Sequence, residues 1–390
     1  MKAEIIIIGG GVVGASVAYH LTQRGIRDVL ILERDEMLGL GSTGKATGGV
    51  RAQFETDINI RLSLYSLDFF REWEFDCEYE PRGYLFLATN ERHFEYLKQT
   101  GERQRKLGYR EVELLDREAI ATMVPGVNCD DVVGGSIGRR DGFINPLAVL
   151  EGFITEAAIK GARVKAGTFV RSIDVENGRV TGLRTSEGNL SCERVVICSG
   201  AWAKTLAATA GVDLPVEPLR RQIVWARSPS ALPPDLPMVI DMSDGFHFRA
   251  ARDFHAAADA PDGHDVLFAY PDPHQQVGFS TEFDDEFLPK VAERAAHRAP
   301  FLNGSQIVYE KCRAGLYENS PDHHAILGGC EIEGLYFANG FSGHGVMHSP
   351  ATGRALSEII LDDKAGFLDV SCLSIERFAN GELLQETAFI

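Results

Sequence analysis

Residues 1–21 read MKAEIIIIGGGVVGASVAYHL, in which a short apolar run leads directly into three glycines. The β-branched run that ends at Ile8 predicts a strand that is covered on both faces, as in a parallel sheet. Gly9, Gly11 and Gly14 then follow the spacing G-x-G-x-x-G. Glycines at these positions allow a tight turn, a close approach of the backbone to a phosphate and close packing of helix on strand. The stretch therefore predicts a strand, a phosphate-binding turn and a helix whose N-terminal amides face the phosphate.

A carboxylate follows the second predicted strand at the spacing of a dinucleotide-binding fold. Residues 29–32 are apolar and lead into Glu33, which is 19 residues after Gly14. In such folds an acidic residue about 20 residues after the glycines binds a ribose 2′-hydroxyl group. The acid disfavours NADP, whose ribose carries a 2′-phosphate, but it does not distinguish NAD from FAD.

Composition and charge limit the classes of function. The chain has 390 residues, which predicts two domains. Its 39 Lys and Arg residues against 56 Asp and Glu residues give a net charge of −17, which argues against a nucleic-acid partner. No apolar run approaches the about 20 residues of a transmembrane helix. Since the first strand begins too early for a signal peptide, we expect a cytoplasmic protein.

Neither the cysteines nor the histidines predict a metal site. The seven cysteines include no C-x-x-C pair, and we expect them to be reduced thiols. His344 and His348 are four residues apart, but Gly345 stands where H-E-x-x-H chemistry needs a glutamate.

The rest of the chain changes pattern along its length. A loop rich in glycine, serine and threonine covers residues 39–54, and a buried strand within 193–202 ends in Ser-Gly-Ala-Trp. Residues 334–360 predict a strand, a glycine-rich turn and a helix. Short strands are predicted at 163–176 and 179–185. Between residues 202 and 334, antiparallel strands are predicted over 220–226, 245–250, 266–270, 277–281 and 306–317, interrupted by a helix at 285–299.

Five motifs occur in one order along the chain. They are the glycine motif with Glu33, the loop at Gly41–Gly44, VVICSGAW, SPDHHAILG and GFSGHG. Together they resemble the D-amino-acid oxidase-type flavoproteins, within the branch of the sarcosine oxidase β-subunit, dimethylglycine dehydrogenase and dye-linked proline dehydrogenase. The resemblance covers nearly the whole chain. It implies an FAD-dependent oxidoreductase that oxidises the C–N bond of a small amine or amino acid by hydride transfer to flavin N5, and the imine then hydrolyses.

The fold implied by this resemblance is α/β (α+β), with a Rossmann-like FAD-binding domain and a mainly antiparallel β-sheet substrate domain. The FAD-binding domain would be discontinuous and consist of residues 1–85, 145–215 and 325–375. The substrate domain would consist of residues 86–144 and 216–324, followed by a C-terminal tail at 376–390.

The resemblance also implies which residues contact FAD. They lie in the glycine motif, at the end of the second strand, in the loop and in three later segments: Gly9, Gly11, Val12, Val13, Gly14, Glu33, Arg34, Ser42, Thr43, Gly44, Lys45, Thr47, Gly48, Gly49, Val170, Ser199, Gly200, Trp202, Gly315, Gly340, Gly343, His344, Gly345 and Val346. We expect non-covalent FAD, because Gly315 and Lys45 occupy the positions that carry the covalent link in some relatives. Cys312 would be the first candidate for such a link.

Three residues are candidates for the catalytic site. Arg51 matches an arginine that binds the substrate carboxylate in monomeric sarcosine oxidase relatives, and a guanidinium group suits that task because it forms two parallel bonds to a carboxylate. Tyr317 matches a tyrosine of the same pocket, and His344 lies in the turn that would face the flavin. The alternatives are an exposed arginine, a core tyrosine and a structural histidine.

Two departures from those relatives bear on the reaction. Gln276 replaces a lysine that activates dioxygen, which favours a dehydrogenase over an oxidase. Met347 replaces a second carboxylate-binding lysine, which indicates a different acid or a different way of binding the substrate.

Other readings of the sequence remain open. A non-catalytic flavin-binding subunit or assembly factor would keep the FAD motifs, and an NAD-dependent dehydrogenase would explain only the first 33 residues. The amine is not identified, and the electron acceptor is oxygen, a quinone or a partner subunit in a hetero-oligomer.

Overall fold

The computed structural model describes residues 2–251 and 263–386. The strands are β1 Ile5–Ile8, β2 Val29–Leu32, β3 Gly49–Val50, β4 Tyr84–Ala88, β5 Val112–Leu115, β6 Gly134–Gly138, β7 Gly142–Phe143, β8 Arg163–Lys165, β9 Val170–Glu176, β10 Arg179–Thr185, β11 Gly188–Ser191, β12 Arg194–Ile197, β13 Glu217–Arg227, β14 Met238–Asp241, β15 His247–Ala250, β16 Asp265–Ala269, β17 Gln306–Ile307, β18 Arg313–Asn319, β19 Ile326–Gly329 and β20 Leu335–Asn339.

The α-helices of the same residues are α1 Val12–Gln23, α2 Ser42–Lys45, α3 Asp57–Glu72, α4 Glu91–Lys106, α5 Arg117–Met123, α6 Pro146–Ile159, α7 Ala203–Ala208, α8 Phe287–Arg298, α9 Gly345–Asp362 and α10 Glu376–Asn380. Within this part of the chain, no helix combines the length and the apolar character that a membrane crossing requires.

The first sheet has the strand order β19-β20-β12-β1-β2-β8. All neighbours pair in parallel except β19, which runs antiparallel to β20 at one edge. Ile5 and Ile7 of β1 pack on the side of α1 and α9, and Ile6 and Ile8 pack on the opposite side. The prediction that the opening isoleucines form a strand covered on both faces is therefore confirmed.

The second sheet has the order β17-β13-β16-β15-β14-β4-β6-β5, and β18 also pairs with β13. Its pairs are antiparallel except β14 with β4. One face packs against α8 through Phe287 and Val291. The predicted fold class, a Rossmann-like α/β part with a mainly antiparallel sheet, is confirmed.

Three details of the predicted strands are wrong. Residues 277–281 make a single bridge, from Val277 to Leu219, because the neighbouring Pro218 has no amide hydrogen with which to extend the ladder. The predicted strand 306–317 is divided into β17 and β18 by a 3₁₀ turn at Tyr309–Lys311. The predicted strand 163–176 is also divided, since β8 joins the first sheet while β9 forms a hairpin with β10.

The end of the chain packs back on the region that begins α3. Helix α10 places Arg377 in a buried ion pair with Asp322, with N–O distances of 2.8 and 2.9 Å. Beyond it, the buried Glu386 carboxylate accepts hydrogen bonds from the amides of Glu55 and Thr56 and from the Asn59 side chain. A carboxylate at a helix N-terminus is favourable because it neutralises the unpaired amides and the helix dipole. The tail thus fixes the start of α3. Residues 387–390 lie outside the described part.

We predict that Glu386→Ala destabilises the protein by about 1–3 kcal/mol, since several buried donors lose a charged acceptor. The midpoint of thermal unfolding should fall relative to the wild type. Glu382→Ala is the matched control, because Glu382 is exposed on the same tail and should leave the midpoint unchanged. Equal midpoints for all three proteins would show that the tail does not hold α3.

Candidate active site

One large cavity lies where the carboxyl ends of β1, β2 and β12 face the second sheet. Arg51, Tyr317 and His344 line it together. Of the predicted FAD contacts, all but Gly14, Gly44 and Gly340 also line this cavity. The structure therefore gathers residues from the start, the middle and the end of the chain around one space.

The glycine motif forms a cradle that side chains would fill. Gly9 has a φ of +116°, and a Cβ atom there would overlap the Cys198 carbonyl group. A Cβ atom on Gly14 would overlap the Gly9 carbonyl group, so Gly14 supports the turn from behind rather than lining the cavity. The N-terminus of α1 is thus open to a phosphate, as the sequence predicted.

Glu33 lies beside this turn. Its carboxylate accepts hydrogen bonds from the amides of Gly10, at 2.8 Å, and Asp35, at 3.0 Å. Each carboxylate oxygen has a further lone pair with which to accept a ribose hydroxyl group. The cradle and the acid together fit the ADP portion of a dinucleotide such as FAD.

The loop at residues 39–54 is held by two arginines of the second sheet. Arg313 donates to the carbonyl oxygens of Lys45, at 3.2 Å, and Ala46, at 3.1 Å. Arg249 donates to the carbonyl oxygen of Thr47. Three consecutive carbonyl groups are therefore bonded, and the loop has a defined path along the cavity.

Arg51 follows directly after this loop and is buried, with 4% of its surface exposed. One nitrogen of its guanidinium group donates to the Gln53 carbonyl group, and the group lies 4.0 Å from the centre of the Phe54 ring. No carboxylate of the described residues forms an ion pair with it. The alternative of a solvent-exposed arginine is wrong, and a buried cation with free N–H groups faces the cavity.

Asp141 holds the backbone beside Arg51. It is fully buried and accepts hydrogen bonds from the Ala52 amide, at 2.8 Å, the Gln53 side chain, at 3.0 Å, and the Tyr109 hydroxyl group, at 2.7 Å. Burial raises the pKa of the Asp141 carboxyl group to about 6, and these donors oppose the rise. These contacts fix the main chain directly after Arg51, and with it the direction in which the Arg51 side chain points.

Tyr317 and His344 meet at the GFSGHG turn. A Cβ atom on Gly343 would overlap the Tyr317 ring, so only glycine allows this packing. Burial, and next the charge of Arg51, lower the pKa of His344 well below its usual value. Its buried Nε2 atom has no hydrogen-bond partner among the described residues. His344 is therefore a neutral imidazole beside Arg51 that retains an unused polar atom.

Glu318 is a buried acid that lines the cavity. Glu318 accepts a hydrogen bond from the Asn339 side chain at 3.3 Å, and the amides of Gly340 and Phe341 also bond to it. Burial raises the pKa of the Glu318 carboxyl group to about 7. This acid therefore changes charge within the physiological pH range.

Apart from Gly315 and Tyr317 on β18, sequence reasoning missed the wall contributed by the second sheet. The cavity-lining residues of that wall include Tyr84, Arg221, Met238, Ile240, His247 and Tyr270. They lie on strands of the second sheet or, for Tyr270, directly after one, and no motif marks them. Only the paired arginines of β13, at positions 220 and 221, offered a signal.

Two residues singled out from the sequence lie away from the cavity lining. The Cys312 thiol lies 3.4 Å from the Trp225 amide nitrogen and packs against an apolar cluster. Gln276 is exposed and donates to the His274 carbonyl group. Met347, in contrast, does line the cavity.

No cluster of histidine, cysteine and acidic side chains suitable for a metal ion occurs in residues 2–251 and 263–386. The polar groups around the cavity suit an organic cofactor and an anion instead.

Comparison with known proteins identifies relatives along the whole chain. The family model described as "DAO: FAD dependent oxidoreductase" matches residues 4–359. "FAD-dependent oxidoreductase domain-containing protein 1" of Xenopus laevis is 30% identical, and the match covers 99% of this chain and 84% of that protein.

Two further relatives have named activities. Human mitochondrial dimethylglycine dehydrogenase is 27% identical over 99% of this chain but only 45% of its own length. The crystal structure of L-proline dehydrogenase from P. horikoshii superposes with a TM-score of 0.89 and 28% identity, and the match covers 98% of this chain and 99% of that one.

We predict that Arg313→Ala weakens FAD binding, because the loop carbonyl groups lose two charge-assisted hydrogen bonds, each about 1.5–3 kcal/mol. The flavin dissociation constant, measured by fluorescence on reconstitution of the apoprotein, should rise at least tenfold. Arg227→Ala is the control, since Arg227 lies on the adjacent β13 and is exposed and ion-paired with Asp265. An unchanged flavin affinity in Arg313→Ala would show that the hydrogen bonds from Arg313 to the loop carbonyl groups are not needed for FAD binding.

Proposed function

The chain belongs to the DAO family of FAD-dependent oxidoreductases, and on this premise we propose that it oxidises the C–N bond of a small amine or amino acid that carries a carboxylate. Sarcosine, dimethylglycine and proline represent the proposed substrate class. The observation that carries the proposal is the buried Arg51 guanidinium group, which faces the cavity without an acidic partner in the described structure.

The proposed cofactor contacts follow from the cradle. Gly9, Gly11 and the N-terminus of α1 would hold the pyrophosphate of FAD, and Glu33 the ribose. The loop at residues 39–54, which Arg313 and Arg249 hold in place, would continue along the cofactor toward Arg51. When bound, FAD supplies the acceptor of the two electrons that leave the amine.

Arg51 would bind and orient the substrate carboxylate. A buried cation without a counter-ion is costly, and a carboxylate ligand removes that cost while forming charge-assisted hydrogen bonds. Orientation of this kind can account for a large part of a rate enhancement. The Asp141 contacts support the assignment, since they hold the main chain on which Arg51 is carried.

The charges of the site would also favour the reactive form of the amine. The nitrogen lone pair must be free as the C–N bond becomes an imine, so the ammonium proton has to leave. Arg51 favours the neutral amine by like-charge repulsion. Burial keeps His344 neutral, and its Nε2 atom has no hydrogen-bond partner among the described residues. Tyr317 lines the same cavity as Arg51 and His344. Water then hydrolyses the released imine to a carbonyl compound and an amine.

The named relatives support an amine or amino acid as the electron donor. Dimethylglycine dehydrogenase and L-proline dehydrogenase are named for donors that combine a carboxylate with an amine nitrogen. The chain spans less than half of dimethylglycine dehydrogenase, so the proposal takes only the donor class from it.

The electron acceptor is proposed to be a quinone or a partner subunit rather than dioxygen. This preference comes from the sequence, in which Gln276 replaces the lysine that activates dioxygen in some relatives. The Gln276 side chain itself is exposed and lies outside the cavity lining. The rate at which air reoxidises the reduced flavin decides between a dehydrogenase and an oxidase.

Anaerobic mixing with amines tests the proposed function. Sarcosine, dimethylglycine or proline should bleach the flavin absorbance, whereas dimethylamine, which lacks a carboxylate, should not. Failure of every carboxylate-bearing amine in a broad panel to bleach the flavin would favour the alternative of a non-catalytic flavin-binding subunit.

We predict that Arg51→Lys weakens the binding of a carboxylate inhibitor by about 1–3 kcal/mol, because the variant keeps the charge and loses the two-pronged hydrogen bonding. Arg51→Ala should weaken binding further, while FAD stays bound in both variants. The measurement is a titration of the oxidised protein that follows the flavin spectrum. If Arg51→Ala binds the inhibitor as tightly as the wild type, the carboxylate is bound elsewhere.

A further inference from the structure

Arg221 is a further cation of the cavity lining, and the proposed function does not use it. It lies on β13 and lines the cavity together with Arg51 and Tyr317. Its guanidinium carbon is 5.6 Å from the centre of the Tyr317 ring. Its neighbour Arg220 is outside the lining, as expected for adjacent residues on opposite faces of a strand.

The protein leaves the Arg221 guanidinium group almost without hydrogen-bond acceptors. Among the described residues, its buried Nε atom has no partner, and its only hydrogen bond is a long one of 3.4 Å to the Arg220 carbonyl group. No carboxylate of residues 2–251 and 263–386 forms an ion pair with it. Asp272 acts on Arg221 through its charge, but the Asp272 carboxylate is bonded to Lys290 at 2.5 Å.

Two other arginines of the second sheet differ from Arg221 in this respect. Arg313 and Arg249 use their N–H groups on loop carbonyl oxygens. Arg221 lies directly across the strand pair from Gly315, and the Lys45 side chain, also a cation, packs over that glycine. A partly buried cation without an ion pair is costly unless a ligand supplies the anion.

We propose that Arg221 binds a second acidic group of the substrate, so that the preferred substrate is an amine or amino acid with two carboxylates, one on Arg51 and the other on Arg221. This inference rests on the proposed function and narrows its substrate class. Arg221 would determine specificity, because a ligand with one carboxylate leaves one guanidinium group without an anion.

Matched pairs of acids test this inference in the FAD-bound protein. Each pair has the same chain length and differs only in whether a methyl group or a carboxylate ends the chain: propanoate and malonate, butanoate and succinate, and pentanoate and glutarate. The dissociation constants come from the perturbation of the flavin spectrum. In the wild type, at least one dicarboxylate should bind on the order of tenfold more tightly than its monocarboxylate partner, as expected for one charge-assisted contact.

The variants assign the preference to a residue. Arg221→Gln should reduce the ratio of the two dissociation constants to near one, and Arg221→Lys should retain part of it. Arg220→Gln is the matched control, since it breaks the 3.2 Å ion pair with Asp284 on the other face of the same strand and should keep the wild-type ratio. Flavin content is measured for each variant, and if Arg221→Gln does not hold FAD, the comparison of Arg221→Lys with the wild type replaces it.

The possible results separate the two proposals. If monocarboxylates bind but no dicarboxylate binds more tightly, or if the preference survives in Arg221→Gln, the role of Arg221 is wrong while the proposed function stands. If no acid of either kind perturbs the flavin, the carboxylate site itself is wrong and both proposals fail.

Discussion

The contact on which the site depends is the clamp between the loop that follows β2 and the second sheet. Arg313 and Arg249 bind the carbonyl groups of three consecutive loop residues, Lys45 to Thr47. These bonds connect the segment nearest the nucleotide cradle to the sheet that supplies the opposite wall. Arg51 comes only four residues after Thr47, and Asp141 and Glu386 fix the main chain beyond it. The position of the cavity cation is therefore a consequence of backbone contacts on both sides.

Charge gives the cavity its chemical character. The chain as a whole carries a net charge of −17, yet Arg51 and Arg221 face one cavity without acidic partners in the described residues. Neither Glu33 nor Asp141 forms an ion pair with them: both carboxylates accept hydrogen bonds from backbone or side-chain donors, and Asp141 acts on Arg51 only through its charge. Burial raises the pKa of Glu318 to about 7, which reduces its negative charge further. Such an arrangement favours anions over the cations that the protein's overall charge would attract.

The sequence predicted the parts of the molecule that local chemistry dictates. The isoleucine strand, the tight turn at Gly9 and the position of Glu33 each follow from a short motif with a physical reason. The resemblance added the expectation that Arg51 belongs to the same site as the GFSGHG turn, and the two do line one cavity. Arg221 was missed because its role depends on what the fold leaves uncovered around it. The same limit explains the errors at 277–281 and 306–317, where Pro218 and a 3₁₀ turn, rather than the apolar pattern, determine the strand pairing.

The most direct test of the central claim, that Arg51 anchors the substrate carboxylate, is a crystal structure of the FAD-bound protein with (methylthio)acetate, a sulfur analogue of sarcosine that has no nitrogen to oxidise. We predict that its carboxylate accepts two hydrogen bonds from the Arg51 guanidinium group, inside the cavity that Tyr317 and His344 line. A carboxylate bound away from Arg51, with the guanidinium group still contacting only the protein, would contradict it.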